Sequence, residues 1–106
     1  MVPPAKGETM THYVTVQLEV TDPELMQQYR ERGFEPVAKH GGEMIAGGPD
    51  CEVLEDNGGG PPASVLLAFP SAEAARAWAE DPEFAEVYAL RRRAAKTTIT
   101  LLPPKG

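Results

Sequence analysis

The run Lys39-His40-Gly41-Gly42-Glu43-Met44-Ile45-Ala46-Gly47-Gly48 leaves this chain few ways to continue. Residues before it recur at helical spacing, residues after it read as extended, and two adjacent glycines join them. Gly41 and Gly42 supply the positive φ at which helices commonly stop. A helix that stops there and doubles back into a strand implies helix packed on sheet. The flanks extend that reading in both directions.

Upstream, Val14, Val16, Leu18 and Val20 fall on one face and Tyr13, Thr15, Gln17 and Glu19 on the other. That period of two makes His12 to Val20 a strand. Thr21-Asp22-Pro23-Glu24 then starts a helix. Asp22 caps free backbone N–H groups, Pro23 suits the first helical position, and Glu24 meets the positive end of the dipole. Leu25, Met26, Tyr29 and Val37 recur at helical spacing with Phe34 just off the row. Gly33 weakens this helix by roughly 1 kcal/mol relative to alanine.

Downstream, Glu43 to Asp56 reads as a second strand region, broken or bulged at Gly47-Gly48-Pro49. Asn57 to Pro62 is a glycine-proline loop, and Ala63 to Phe69, apolar on both faces, is a central strand. Ser71 caps a short helix carrying Ala72, Ala75, Trp78 and Ala79. Asp81-Pro82-Glu83 repeats the earlier start signal, and Asp81, placed before a proline, is pushed out of helical geometry, so the helix kinks or restarts there. Phe84, Val87, Tyr88 and Arg91 continue one stripe. Lys96 to Leu102, rich in threonine, isoleucine and leucine, closes the fold as a strand.

The order strand-helix-strand, strand-helix-strand is the βαββαβ pattern of a ferredoxin-like α+β domain, an antiparallel four-stranded sheet with both helices on one face. A two-layer α+β domain with another strand order fits the same pattern. A chain of 106 residues forms one such domain. Its expected organisation is a polar leader at 1–11, the folded domain at 12–102 and a tail at 103–106. The uncovered sheet face presents Tyr13, Thr15, Gln17, Glu19, Leu66, Ala68, Thr98, Thr100 and Leu102. That surface is too apolar in its third strand to face water alone, so a homodimer pairing sheet against sheet is expected.

Composition narrows the function classes. A formal charge of −6 opposes nucleic-acid binding, which needs a basic surface. One cysteine excludes an internal disulfide. No apolar run approaches the roughly 20 residues that span a bilayer, and residues 1–11 lack the apolar stretch of a secretory signal. A cytoplasmic protein that does not enter the membrane is expected.

His40 is the leading catalytic candidate, because an imidazole can take either charge state near neutrality. A helix C-terminus also favours a cation there without any catalysis, as for its neighbour Lys39. His12 begins the first strand as an exposed edge residue. Acidic neighbours Asp50 and Glu52 disfavour a thiolate at Cys51. With two histidines and one cysteine, none at ligand spacing, no metal site is expected. Gly58-Gly59-Gly60 lacks the lysine and hydroxyl of a phosphate loop. Of Arg91-Arg92-Arg93, only Arg91 shares the Phe84-Val87-Tyr88 stripe and turns inward. Tyr29, Trp78 and Tyr88 are amphipathic aromatics that either fill the core or line a cavity between helices and sheet. Their polar tips need partners, and Arg91, His40 and Glu55 are available.

These pieces, taken in order, resemble a known family. Asp22-Pro23-Glu24, Tyr29, His40-Gly41-Gly42, Glu52-Val53-Leu54-Glu55, Phe69-Pro70-Ser71, Ala74-Ala75, Trp78 and Arg91 are similar to the domain-of-unknown-function 1330 family, from His12 to roughly Leu102. The resemblance implies the dimeric α+β barrel. Relatives of that broad fold include cofactor-free monooxygenases of polyketide tailoring, muconolactone isomerases and haem-degrading enzymes, and fold alone does not choose among them. The chain departs from the family at Glu43 and Gly47, where basic residues are common, at Asp56, where glycine is common, and at Ala79 and Phe84, where tyrosines are common.

Two functions follow as expectations. One is a cofactor-free enzyme, monooxygenase- or isomerase-like, acting on a small aromatic or polyketide-like molecule. In it His40 is the acid/base, Arg91 holds an anionic oxygen, Tyr29, Trp78 and Tyr88 shape the cavity, and Glu55 orients a partner. The other is a non-catalytic dimeric small-molecule-binding or regulatory module.

Overall fold

The strands His12–Val20 (β1), Glu43–Gly48 (β2), Ala63–Phe69 (β3) and Ala95–Leu101 (β4) form one antiparallel sheet in the order β2-β3-β1-β4. The structure is a computed structural model that describes residues 11–58 and 63–104. Most of the expected leader, residues 59–62 of the loop, and the last two residues of the tail lie outside the described residues. The topology is the ferredoxin-like one, with β1 and β3 inside and β2 and β4 at the edges. His12 therefore starts an interior strand, opposite Phe69, rather than an edge.

Alternation decides the two faces. Val14 lies between Leu67 and Leu101, and Val16 between Val65 and Ile99. These rows join Phe69, Met26, Val37, Trp78 and Ala94 in the core under the helices. The opposite face carries Tyr13 beside Ala68 and Thr15 between Leu66 and Thr100.

Each connecting helical arm is broken, and a proline breaks each. The first divides into Pro23–Arg32 (α1) and Phe34–Lys39 (α2) at Gly33. Gly33 weakens the helix there, but Pro36 forces the division. Its ring would clash with the carbonyl four residues back in a continuous helix, and it is tolerated in a new first turn. The second arm runs as Ala72–Glu80 (α3), a 3₁₀ turn at Pro82–Phe84, and Ala85–Ala94 (α4). Asp81 is extended at the break, with ψ 114°. The expected caps form: Asp22 Oδ1 accepts from the Leu25 N–H at 3.1 Å and Ser71 Oγ from the Ala74 N–H at 3.0 Å.

After α2 the chain turns through paired bonds. The Gly42 N–H donates to the Val37 carbonyl at 2.9 Å and the Gly41 N–H to Ala38 at 3.1 Å, the Schellman arrangement. Of the two glycines only Gly41 has positive φ, at 77°. Gly42 is required for a different reason: a Cβ on it would lie 2.6 Å from the Phe69 ring. Beyond the turn β2 is shorter than its sequence suggests. It ends at Gly48, where the Gly47-Gly48-Pro49 run is expected to break it, and its register slips earlier, at Ile45, between Met44 and Ala46. Glu52 and Glu55 thus sit on an exposed loop and not on a strand.

Candidate functional site

Two groups of side chains form where the broken arms meet the sheet. The first gathers around Asp81. Its Oδ1 caps the 3₁₀ turn by accepting from the Glu83 N–H at 2.9 Å, while Oδ2 accepts from Lys39 Nζ and from His40 Nε2, each at 2.8 Å. Lys39 also donates to Glu83 Oε1 at 2.6 Å. Hydrogen bonds from Lys39 and then His40 hold the Asp81 carboxyl well below the usual carboxylate range. Bonds to Asp81 and Glu83 push the Lys39 ammonium up to about 12. Because Asp81 is a carboxylate, the proton in its bond to His40 sits on Nε2. The histidine ring is half-buried and fixed by this pair.

The second group is aromatic. Trp78 lies against Phe69 with ring centroids 5.3 Å apart, and the Tyr88 hydroxyl donates to the Trp78 carbonyl. The Arg91 guanidinium stands 4.9 Å from the Tyr88 ring centroid and 5.9 Å from that of Tyr29. Arg91 is only 4% exposed, and no carboxylate among the described residues forms an ion pair with it. Two aromatic faces compensate its charge instead, a contact worth about 0.5–2 kcal/mol each, more when water is excluded. Burial, with the negative charge of Asp81, pushes the Tyr88 phenol up to about 12, against the pull of Arg91. Tyr88 is therefore a neutral donor at ordinary pH and not a base.

Beside this group lies an apolar cavity of about 170 Å³ between α1 and the sheet. Tyr29, Gly33 and Phe34 line it from the helical arm, Met44, Val65, Leu67, Val16 and Leu18 from the sheet, and Trp78 from α3. Arg30, Phe34 and Met44 are exposed and mark its mouth. A cavity this size accepts one aromatic ring, since a dry cavity of about 150 Å³ holds benzene. Two buried donors have no acceptor among the described residues: Trp78 Nε1 and Arg91 Nε.

The structure thus brings Tyr29, Trp78, Tyr88 and Arg91 together. It does not bring His40 or Glu55 to them. His40 points to Asp81 and does not line the cavity. Glu55 lies on the wall of a separate open groove of about 820 Å³, between the 52–57 loop and the ends of β1 and β4. That groove mixes the acidic Glu19, Glu52, Glu55 and Asp56 with Lys96 and the apolar Leu18, Val53 and Leu54, and has no buried polar group among the described residues. Sequence reasoning treated Asp81 only as a helix start, although it also accepts from two side-chain donors of a segment about forty residues away. It passed over Met44 as a cavity wall, which the alternation of β2 could have flagged. Among the described residues no trio of His, Cys, Asp or Glu is placed to hold a metal ion, and no helix is long and apolar enough to cross a membrane.

These features define a ferredoxin-like α+β domain with an apolar pocket between helices and sheet. The chain belongs to the family described as Domain of unknown function (DUF1330), whose model matches residues 11–104. No curated protein matches its sequence. Solved structures share the fold at low identity. A protein of unknown function from Rhodopseudomonas palustris is 15% identical over 93% of this chain and 85% of its own, with a TM-score of 0.72. A dimeric ferredoxin-like protein of unknown function from Jannaschia sp. CCS1 is 19% identical over 90% of this chain and 100% of its own, with a TM-score of 0.65. SnoaB, a cofactor-independent oxygenase from Streptomyces nogalater, is 12% identical over 91% and 94%, with a TM-score of 0.64.

Proposed function

We propose that the protein is a cytoplasmic homodimer that binds a small aromatic molecule, about one ring in size, in the cavity between α1 and the sheet. The observation that carries this reading is the cavity itself, an apolar hollow of about 170 Å³ walled by Tyr29 and Trp78. Its size lies below the roughly 300–1,000 Å³ of sites for larger ligands, which argues for a compact ring and against a polycyclic one. Pairing of two copies is supported by the apolar outer face of β3 and by the dimeric relative from Jannaschia.

The binding reading is favoured over catalysis by the position of His40, the strongest acid/base candidate, which is tied to Asp81 outside the cavity. The catalytic reading has its own support. The fold is that of a cofactor-independent oxygenase, and Tyr29, a phenol, lines the cavity with the Arg91 cation 5.9 Å from its ring. In that version Tyr29 faces negative charge developing on the bound ring, and Arg91, which does not itself line the cavity, acts through the Tyr29 ring.

Titration of Trp78 fluorescence with single-ring phenols tests both. Saturable quenching at one site per chain, lost in Met44→Arg, which puts a charge at the mouth and adds no second indole, is the expected result, and quenching that survives Met44→Arg unchanged overturns the cavity. Oxygen uptake or product formation that falls in Arg91→Ala and Tyr29→Phe selects the enzyme. Binding without turnover selects the module.

A further inference from the structure

The cavity already described lies over β2, β3 and β1, with Met44, Leu67 and Val16 in its floor. A second apolar hollow of about 140 Å³ lies over β1 and β4, with Val14, Ile99 and Leu101 in its floor and Ala75 and Ala79 of α3 in its wall. The two floors adjoin. Val16 of the first pairs with Ile99 of the second, and Val14 of the second pairs with Leu67 of the first. Among the described residues Trp78 alone lines both hollows. Joined, they would reach the lower end of the roughly 300–1,000 Å³ of ligand sites, whereas each alone holds no more than one ring. The dividing residue is also braced. Trp78 is 2% exposed, its ring lies 5.3 Å from that of Phe69, and its carbonyl accepts from the Tyr88 hydroxyl. Phe69 in turn is 1% exposed and backed by Gly42, where a Cβ would lie 2.6 Å from the ring. In an interior packed this closely the indole has nowhere to swing without displacing its neighbours.

We infer that Trp78 is the specificity-determining residue of the cavity: it partitions one longer hollow and holds the ligand to a single unfused ring. This deepens the cavity reading and rests on it. A fused second ring carries more apolar surface and binds more tightly wherever a hollow is long enough to bury it. A site that gains nothing from that ring is therefore closed to it by shape, and the closing wall is the indole.

Calorimetric titration with phenol and 2-naphthol, one ring against two fused rings, tests the partition. The native protein is expected to bind 2-naphthol no more tightly than phenol. Trp78→Leu, which opens the wall, is expected to raise the 2-naphthol-to-phenol affinity ratio about tenfold or more, the worth of burying about two further ring carbons. A native protein that already prefers 2-naphthol tenfold, or a folded Trp78→Leu with an unchanged ratio, overturns the partition while the cavity stands. If neither compound binds the native protein at millimolar concentration, the cavity reading falls and takes this inference with it. Should Trp78→Leu fail to fold, Ala79→Leu gives an independent answer by filling the second hollow. Phenol affinity is expected to stay the same in Ala79→Leu, and a tenfold loss would show that the hollows already communicate and would overturn the proposal.

Discussion

Asp81 accepts three hydrogen bonds, from Lys39, His40 and the Glu83 backbone, and its consequences are electrostatic. Folding lowers its pKa, so the unfolded chain takes up the proton first as the solution is acidified. The stability this carboxylate contributes is present above its unfolded pKa, near 4, and drains away as pH falls below that. The urea midpoint of the protein is expected to drop between pH 5 and pH 3 more steeply than that of Asp81→Asn. Equal slopes would show that the cluster does not hold Asp81 ionised. Tyr88 behaves with the opposite sign. Its phenol is pushed up to about 12 by burial, so the unfolded chain loses that proton first, near pH 10, and stability declines from there as pH rises toward 12. Tyr88→Phe removes this ionisation and is expected to flatten the alkaline limb. It also deletes the bond to the Trp78 carbonyl, which lowers stability at neutral pH by about 1 kcal/mol.

At the scale of elements, the α2–β2 turn is the point most sensitive to a single methyl group. A Cβ on Gly42 would sit 2.6 Å from the Phe69 ring, and Phe69, 1% exposed, has no room to retreat. Gly42→Ala is expected to cost about 1–3 kcal/mol through overpacking, read as a lower urea midpoint with unchanged slope; a change below about 0.5 kcal/mol would mean that the turn is not held against the sheet. The turn also shows what the amino-acid sequence reveals and what it hides. Helix starts at Asp22 and Ser71 and the restart at Asp81 are local chemistry, and all three were legible from three or four residues each. The break at Gly33 was underread because Pro36, its cause, lies three positions downstream. The break after Gly48 is legible in the Gly47-Gly48-Pro49 run, whereas the register shift at Ile45 is not, because it is settled by the facing strand and not by the strand that bulges. The cavity's aromatic residues were legible as amphipathic side chains on helical stripes. The tie between His40 and Asp81 was not, since forty intervening residues carry no signal that the ends of two broken helices will meet.

For the whole molecule the open question of surface is the outer face of the sheet. Four strands about 4.8 Å apart, with seven residues rising about 3.3 Å each, present a flat area of roughly 440 Å². A stable interface takes about 800 Å² from each partner, so the sheet face alone falls short even after allowing for its corrugation. Exposed apolar side chains next to it can supply the remainder: Leu54 is 88% exposed, Ile45 48% and Val53 38%. Such large apolar groups carried on one exposed stretch are costly to leave in water and are depleted from isolated domains. The proposed homodimer therefore uses the loop after β2 as well as the sheet, and its parts can be separated by mutation. Light scattering at micromolar concentration is expected to give the mass of two chains for the native protein. Leu66→Lys, which places a charge in the centre of the face without touching the helix side, is expected to give monomers with unchanged circular dichroism. Leu54→Glu is expected to raise the dissociation constant about tenfold or more while leaving the fold intact, in line with losing one buried leucine of roughly 1.5–3 kcal/mol. A native protein that scatters as a single chain removes the dimer, and a dimer indifferent to Leu54→Glu confines the interface to the sheet.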